Sequence, residues 1–321
     1  MNVPDVVCLG ILVADVFGDP INALPGAGEL ALLDHYLVSS GGCAANAAID
    51  LGRLGRTARV LGKVGKDVFG DFLLQDLKRL GSDTAFITRS EIQPTSITFV
   101  ANVSGEDRRF FHCFGANSDF SIADVDLNAL REARALYVGG YFAMPAFRPE
   151  QFLKLFREAK QLGLITALDV VIPAGSPSRL EEIGPILAYT DLFLPNTDEA
   201  GMLTGTSDPL KQAHALGQFN PDGTVVITRG CLGAVARRGS EVLRASTYKV
   251  NSIDGSGSGD AFDAGFLVGM MERWPLERSL RFASAVGASC TRALGCHTSV
   301  FDFDEASAFV AQNHLQIETI I

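Results

Sequence analysis

The sequence predicts an α/β fold, in which a mainly parallel β-sheet lies between two layers of helices and a small second β-sheet adjoins it. Short apolar segments, often β-branched, alternate with helical patterns over most of the 321 residues. Such alternation is typical of a parallel sheet with helices on both faces. Glycine-bearing turns follow several of these segments, at the strand ends where parallel sheets bind ligands. Two regions in the first third carry strand patterns without a helix between the strands.

The elements of the main sheet follow one another along the chain. Because they are short and apolar, strands are predicted at 6–9, 58–64, 135–138, 164–168, 191–194 and 225–228. Helices are predicted between several of them, at 69–80, 149–161 and 209–219. Two more helices are expected after glycine-rich turns, one following Gly42 and one around Asp260.

The two regions without helices, 12–40 and 95–114, predict a small separate sheet. The stretch "TSITFVANVSGEDRRFFHCF" is typical of a hairpin with its turn near 104–107. A lid over the strand ends is the functional interpretation, and an extension of the main sheet is the alternative. The first interpretation divides the chain into a main domain, 1–11, 41–94 and 115–321, and a β lid, 12–40 and 95–114.

Composition limits the classes of partner. The formal net charge of −10 argues against nucleic acid or an anionic membrane as the main partner. No apolar run reaches the ~18 residues of a membrane span. The apolar start of the chain lacks an early basic residue and contains Asp5 and Asp15, so a first strand explains it better than a signal peptide.

The cysteines and histidines do not suggest a metal or disulfide framework. No C-x-x-C pair occurs, most cysteines have apolar neighbours, and the five histidines lack metal-ligand spacing. We therefore expect reduced core cysteines in a cytoplasmic protein. The cysteines are Cys8, Cys43, Cys113, Cys231, Cys290 and Cys296.

The stretch "DGSGSGDAFDAGFLVGMMERW", which begins at Asp254, predicts a phosphate site at the start of a buried helix. Glycines leave backbone N–H groups accessible, and such groups at a helix N-terminus bind anions. A carboxylate beside that site, Asp260, makes sense if it takes a proton from a group attacking the phosphate. The stretch lacks the glutamate of an EF-hand and the third glycine of a dinucleotide fingerprint. A mobile turn before a core helix is the structural alternative.

Two further motifs combine glycine or amide side chains with predicted turns. In "SSGGCAANAAIDLGRLG", Gly41 and Gly42 precede an alanine-rich helix in which Asn46 either satisfies backbone groups or contacts a ligand. In "LPNTDEAGMLTG", Asn196 and Glu199 lie three residues apart at a strand end. They are suited either to capping a helix or to binding Mg²⁺ through water.

Together these motifs resemble those of the ribokinase-like sugar kinases, the PfkB family, over essentially the whole chain. "GGCAANAAIDLGRLG" is similar to the first signature of that family and "DGSGSGDAFDAGFLVG" to the second. "PNTDE" is similar to its N-x-x-E motif, "TRGCLG" to its T-x-G-x-x-G motif and "GAN" to a sugar-kinase motif. The resemblance implies a three-layer α/β/α sandwich with a β lid, and transfer of the ATP γ-phosphate to a hydroxyl of a sugar or similar alcohol.

The resemblance also implies the roles of individual residues. It assigns the base to Asp260, the anion hole to the N–H groups of Gly257, Ser258 and Gly259, and Mg²⁺ with its waters to Asn196 and Glu199. The nucleotide side comprises Asn196, Glu199, Thr228, Gly230 and Gly233. The substrate side comprises Asp15, Gly41, Gly42 and Asn46. Asp254, Gly295 and Ser299 match positions that bind a monovalent cation, K⁺, in some relatives. A homodimer through the lid is expected because several relatives pair in that way.

Some positions depart from the family pattern, so the identity of the substrate stays undetermined. Gly255 replaces the usual threonine, which argues against the monovalent cation, and Cys43 replaces the lysine of ribokinase, which argues against ribose. "ALDVVIPAG" keeps Asp169 but lacks the D-x-N-x-R of fructokinase and ketodeoxygluconate kinase relatives. The leading hypothesis is an ATP-dependent sugar kinase. The alternatives are a nucleoside kinase and a non-catalytic sugar- or nucleotide-binding regulator.

Overall fold

A ten-stranded sheet and a separate four-stranded sheet organise the chain in the computed structural model, which describes residues 3–104, 109–173 and 179–320. The strands are β1 (Val6–Gly10), β2 (Val13–Gly18), β3 (Tyr36–Gly41), β4 (Ala58–Val64), β5 (Asp83–Arg89), β6 (Ile97–Ala101), β7 (Arg109–Cys113), β8 (Ala135–Tyr141), β9 (Ile165–Val170), β10 (Leu192–Phe193), β11 (Thr224–Thr228), β12 (Ala234–Arg238), β13 (Glu241–Ala245) and β14 (Ile317–Thr319). The α-helices are α1 (Cys43–Arg53), α2 (Val68–Arg79), α3 (Pro149–Gln161), α4 (Leu180–Leu187), α5 (Thr197–Thr204), α6 (Pro209–Gly217), α7 (Ser258–Met271), α8 (Leu276–Cys290) and α9 (Phe303–Gln312).

The large sheet has the strand order β14-β13-β12-β11-β10-β9-β8-β1-β4-β5. The seven neighbouring strands β11, β10, β9, β8, β1, β4 and β5 all pair in parallel. At the other edge of the sheet, the pairs β11/β12, β12/β13 and β13/β14 are antiparallel. The predicted mainly parallel sheet is therefore confirmed. The carboxyl ends of the parallel strands lie at one edge of the sheet, where several turns with predicted site residues follow them.

Two layers of helices cover the large sheet, because its central strands are apolar on both faces. In β1, Val6 and Cys8 belong to a buried cluster with residues of α1, α2, α7 and α8. Val7 and Leu9 belong to a second cluster with residues of α3, α4, α5 and α6. Within the described part of the chain, no helix combines the length and apolar character needed to cross a membrane.

The small sheet has the order β3-β2-β6-β7 and confirms a second sheet rather than an extension of the first. The pairs β2/β3 and β6/β7 are antiparallel, whereas β2/β6 is parallel. Residues 105–108, most of the predicted hairpin turn, lie outside the described residues. The strand pattern expected throughout 12–40 is wrong between β2 and β3, where proline and glycine interrupt the chain and most residues are exposed. The exact division into main domain and lid stays a prediction.

Some sequence-based boundaries and burial assignments also differ. The strand expected at 191–194 is limited to β10. Pro195 lies two residues after β10, and proline cannot donate a hydrogen bond to the next strand. The helix expected at 209–219 ends at Gly217. The expectation of core cysteines is wrong for Cys113, in edge strand β7, and for Cys231, in a turn, because both are exposed.

Candidate active site

The predicted phosphate loop lies at the N-terminus of α7. Gly257 caps this helix with a left-handed φ of 74°, and a Cβ there would lie 2.2 Å from the carbonyl oxygen of Cys296. Glycine is therefore required on both conformational and steric grounds. The buried Asp254 carboxylate fixes the loop by accepting hydrogen bonds from the N–H of Ser256 (3.0 Å) and of Gly295 (3.1 Å).

The backbone donors of this loop differ in availability. The N–H of Ser258 donates to the carbonyl oxygen of Gly255 at 3.3 Å, so this donor is engaged within the loop. The N–H groups of Gly257 and Gly259 have no hydrogen-bond acceptor among the described residues. Two backbone donors at the positive end of α7 are therefore available to an anion.

Asp260 follows this loop in the first turn of α7 and is half-buried. Its Oδ2 accepts a 2.8 Å hydrogen bond from Nδ2 of Asn46, which lies in α1. Burial raises the pKa of Asp260, and hydrogen bonds from Asn46 and Cys43 oppose the rise by favouring the ionised carboxylate. A carboxyl group with a raised pKa next to free backbone donors has the properties of a general base.

The amide of Asn46 has one atom without a partner. The residue is 3 % exposed, and its Oδ1 has no hydrogen-bond donor among the described residues. An unpaired buried carbonyl oxygen costs about 1–3 kcal/mol. The atom is therefore ready to accept a hydrogen bond from a ligand hydroxyl.

Asp15 in β2 and the two glycines before α1 pack closely together. A Cβ on Gly41 would lie 1.8 Å from Oδ2 of Asp15, and one on Gly42, whose φ is 89°, would lie 2.5 Å from the carbonyl oxygen of Ile11. The glycines therefore allow β3 to pass directly beside the Asp15 carboxyl group. Burial raises the pKa of Asp15 to about 7, and the negative charge of Asp260 contributes to the rise.

Two further aspartates, the partly exposed Asp169 and the buried Asp263, belong to this acidic region, although the sequence analysis gave neither a role. Asp169, in β9, accepts a 3.0 Å hydrogen bond from the N–H of Gly140. Asp263 accepts a 3.1 Å hydrogen bond from the hydroxyl of Tyr137. Burial raises the pKa of both aspartates, and Asp260 adds to each rise. The spacing of Asp263, three residues after Asp260 on the same helix, is the sequence signal that could have identified it.

Asn196 and Glu199 form a capping box at the start of α5. Oδ1 of Asn196 accepts from the N–H groups of Asp198 and Glu199, both at 2.9 Å, and Oε2 of Glu199 accepts from the N–H of Asn196 at 2.9 Å. Burial raises the pKa of Glu199 to about 7. An isolated bridge pairs Asn196 with Thr228, so the N-x-x-E and T-x-G-x-x-G motifs are adjacent.

A cleft of about 640 Å³ joins two of the predicted motifs. Its lining includes Thr228, Gly230 and Gly233 on one side and Ser258 and Gly259 on the other. Gly233 has a φ of 84°, and a Cβ there would lie 2.0 Å from the carbonyl oxygen of Ala245. Asp15, Asn46 and Asp260 are not among the residues that line this cleft, and the place where they lie is the predicted acceptor end.

The three residues expected to bind a monovalent cation lie in one hydrogen-bonded region. Gly295 donates to Asp254, as described above. The hydroxyl of Ser299 donates to the carbonyl oxygens of Ser289 (2.7 Å) and Cys290 (3.0 Å) at the end of α8. The region is therefore rich in oxygen atoms, which are the ligands that hard cations prefer.

Comparison with known proteins identifies the family of this chain. The sequence profile of the family described as pfkB family carbohydrate kinase matches residues 3–302. The chain belongs to the pfkB family of carbohydrate kinases. This pfkB kinase is 27 % identical to a ribokinase of Haemophilus influenzae over 309 residues, which cover 94 % of this chain and 97 % of the relative. It is 24 % identical to a 5-dehydro-2-deoxygluconokinase of Clostridium perfringens over 319 residues, covering 95 % and 92 %.

Solved structures share the fold of this pfkB kinase. A putative ribokinase from Agrobacterium tumefaciens gives a TM-score of 0.84 at 20 % identity, with 97 % of this chain and 98 % of the other covered. Arabidopsis thaliana ribokinase, complexed with ribose and ATP, gives 0.79 at 24 % identity, covering 96 % and 99 %. A putative ribokinase II from E. coli, in complex with ATP and Mg²⁺, gives 0.80 at 20 % identity, covering 97 % and 100 %. The predicted ribokinase-like fold is confirmed, and the chain is a phosphotransferase of the carbohydrate-kinase class.

Proposed function

We propose that this kinase transfers the γ-phosphate of ATP to a hydroxyl of a small uncharged carbohydrate, with Asp260 as the general base. The position of Asp260 carries the proposal. It directly follows Gly259, whose N–H is free, and it lies 2.8 Å from the amide of Asn46, whose carbonyl oxygen is unpaired. A group suited to a phosphate and a group suited to a hydroxyl therefore flank one carboxylate.

On the donor side, ATP occupies the cleft along Thr228, Gly230 and Gly233, and its phosphates extend to the loop at Gly257–Gly259. The solved ATP complexes of the Arabidopsis and E. coli relatives support ATP as the donor. Asn196 and Glu199 offer the oxygen atoms that Mg²⁺ prefers, and Asn196, which the Glu199 carboxylate caps, lies beside Thr228. When bound, Mg²⁺ neutralises charge on the phosphates.

In the reaction, Asp260 accepts the proton of the acceptor hydroxyl while the hydroxyl oxygen bonds to the γ-phosphorus. The bond from that phosphorus to the bridging oxygen breaks, and ADP leaves with the electron pair. The N–H groups of Gly257 and Gly259 stabilise the charge on the transferring group. Ser258 joins them if the hydrogen bond of its N–H to Gly255 opens.

On the acceptor side, Asn46 and Asp15 bind sugar hydroxyls, and Gly41 and Gly42 let the chain approach them closely. The region also contains the carboxyl groups of Asp169 and Asp263, and within the described residues no lysine or arginine forms an ion pair or side-chain hydrogen bond with these aspartates. A sugar acid or sugar phosphate would therefore find no basic partner among these residues, which disfavours the burial of its charge.

A panel of neutral sugars, sugar acids, sugar phosphates and nucleosides with Mg-ATP, scored by acceptor-dependent ADP release, tests this function. Asp260→Asn should retain ATP binding and lose turnover by orders of magnitude, because the amide cannot accept the proton. Residual activity within about tenfold of wild type, a difference of ~1.4 kcal/mol, would contradict the base assignment. Phosphorylation of a nucleoside alone would favour the nucleoside kinase.

Two features complete the proposal. A monovalent cation, K⁺, fits the oxygen-rich region of Asp254, Gly295 and Ser299, and comparing activity in potassium and tetramethylammonium salts tests its role.

A homodimer forms through the small sheet, where Phe99 and Phe111 are paired across strands and are 52 % and 58 % exposed. An exposed aromatic patch of this kind is typical of an interface, and the mass in solution tests it. The cytoplasmic location stays a prediction.

A further inference from the structure

A thiol lies between two carboxyl groups at the acceptor end. Cys43 is the first residue of α1, Asp169 lies near the carboxyl end of β9, and Asp260 lies in the first turn of α7. Sγ of Cys43 and one carboxyl oxygen of each aspartate lie within 4.8 Å of one another, and all three side chains are partly exposed. Across residues 3–104, 109–173 and 179–320, no other three His, Cys, Asp or Glu side chains converge in this way.

This set of atoms suits a thiophilic divalent cation. Zn²⁺ binds thiolate sulfur at about 2.3 Å and carboxylate oxygen at about 2.0–2.2 Å, so ligand atoms around one tetrahedral ion are about 3.5 Å apart. Side-chain rotations that bring the three atoms about 1 Å closer would reach that separation. The sulfur also provides selectivity, because Mg²⁺ prefers oxygen ligands whereas Zn²⁺ and Cd²⁺ bind thiolates strongly.

Asn46 provides an independent indication of a ligand at this place. Its Nδ2 donates to Oδ2 of Asp260 at 2.8 Å, so the amide end of the side chain is directed at the group. The other atom of that amide, Oδ1, is buried and has no donor among the described residues. Rotation of this amide about its last side-chain bond would turn Oδ1 toward Asp260 and complete a set of four ligand atoms.

We propose that Cys43, Asp169 and Asp260, with Oδ1 of Asn46, form a binding site for Zn²⁺ or a similar thiophilic divalent cation. Occupation of this site removes Asp260 from reach of the acceptor hydroxyl and fills the place of the sugar. The metal therefore inhibits the kinase, and this consequence rests on the proposed function, whereas metal binding itself does not.

Cadmium titration without nucleotide tests the site directly, because cadmium–thiolate bonds absorb in the ultraviolet. The parent is a Cys113→Ser, Cys231→Ser variant, which lacks the two exposed thiols. We expect an absorbance that saturates at one equivalent and that Zn²⁺ removes by competition. Cys43→Ala and Cys43→Ser should abolish it, and Asp169→Asn should weaken binding by at least about tenfold. An unchanged band in both Cys43 variants would overturn the site.

Inhibition by buffered free Zn²⁺ tests the consequence. We expect competition with the sugar in the wild type and a much weaker effect in Cys43→Ala. A protein that binds cadmium through Cys43 but phosphorylates no acceptor would contradict the proposed function and support the metal site. An active kinase that is unaffected by Zn²⁺ at concentrations saturating the site would overturn the inhibition.

Discussion

At the scale of single residues, the hydrogen bond from Asn46 to Asp260 adjusts the pH at which the proposed base becomes ionised. Burial raises the pKa of Asp260, and the Asn46 amide lowers it because it donates to the charged form. Activity requires the ionised carboxylate, so it should be lost as the pH falls through this raised pKa.

Replacing Asn46 by leucine should therefore move the acid limb of the kcat/KM profile to higher pH, because the ionised carboxylate loses a donor. The KM for the sugar should rise more than that for ATP, since the unpaired carbonyl oxygen is lost as well. Asn220→Leu is the control, because Asn220 donates to the carbonyl oxygen of Thr190 at 2.8 Å, away from the acceptor end. An unshifted acid limb in Asn46→Leu would show that Asp260 is not the titrating group.

The residues of the acidic region mark the limit of what sequence could predict. The motifs indicated Asp260 and Asn46 separately, but the two are 214 positions apart, and only the packing of α1 beside α7 brings them together. Asp169 and Asp263 lay within quoted stretches, but no motif gave either of them a role. Their position near Asp260 depends on tertiary packing, which local patterns do not encode.

At the scale of elements, two helices begin with the same capping arrangement but differ in surroundings. Asn196 and Glu199 form the capping box of α5, and Asp302 and Glu305 form that of α9. The first lies beside Thr228 of the T-x-G-x-x-G motif, whereas the second caps a helix outside the proposed site. A structural role alone would make the two pairs equivalent.

Asn196→Ala and Asp302→Ala should each lower the free energy of unfolding by about 0.5–2 kcal/mol, because each removes an N-cap. Only Asn196→Ala should raise the Mg²⁺ concentration needed for half-maximal activity. Denaturation curves and magnesium titrations of both variants separate the two effects. Identical magnesium dependence in the two variants would limit Asn196 to capping.

The phosphate loop allows a similar comparison between two glycines. Gly257 and Gly163 have φ values of 74° and 79°, but only at Gly257 would a Cβ meet nearby atoms. Alanine should cost about 1 kcal/mol of conformational strain at either position. Gly257→Ala should also displace the loop and lower kcat/KM by more than about tenfold, ~1.4 kcal/mol. Steady-state kinetics of both variants test this, and equal kcat/KM values would show that the loop geometry is not needed.

The elements themselves were largely predictable, because periodicity is a local property. Helix α3 spans Pro149–Gln161 as expected, and β4 spans Ala58–Val64 as expected. The parallel pairing of β2 with β6 was not predictable, since a strand pattern specifies neither its partner nor its direction. The same pattern also extended the expected strands into the exposed segment between β2 and β3.

At the scale of the whole molecule, the small sheet should respond to the sugar. If it closes over the acceptor, it excludes water that would compete for the phosphate. Hydrogen exchange in 12–40 and 95–114 should slow when sugar is added, while exchange in β11 should hardly change. Unchanged exchange in both segments at saturating sugar would make the small sheet a fixed part of the core.

Two of the connections between the small sheet and the main domain are very short. Residues 11 and 12 join β1 to β2, and Gly42 alone joins β3 to α1. These two connections are adjacent, because a Cβ on Gly42 would lie 2.5 Å from the carbonyl oxygen of Ile11. If the small sheet closes, its motion relative to the main domain would be smallest at this place. Asp15 lies on the small sheet, whereas Asn46 lies in the first turns of α1, so closure would change the separation of the two proposed sugar-binding side chains.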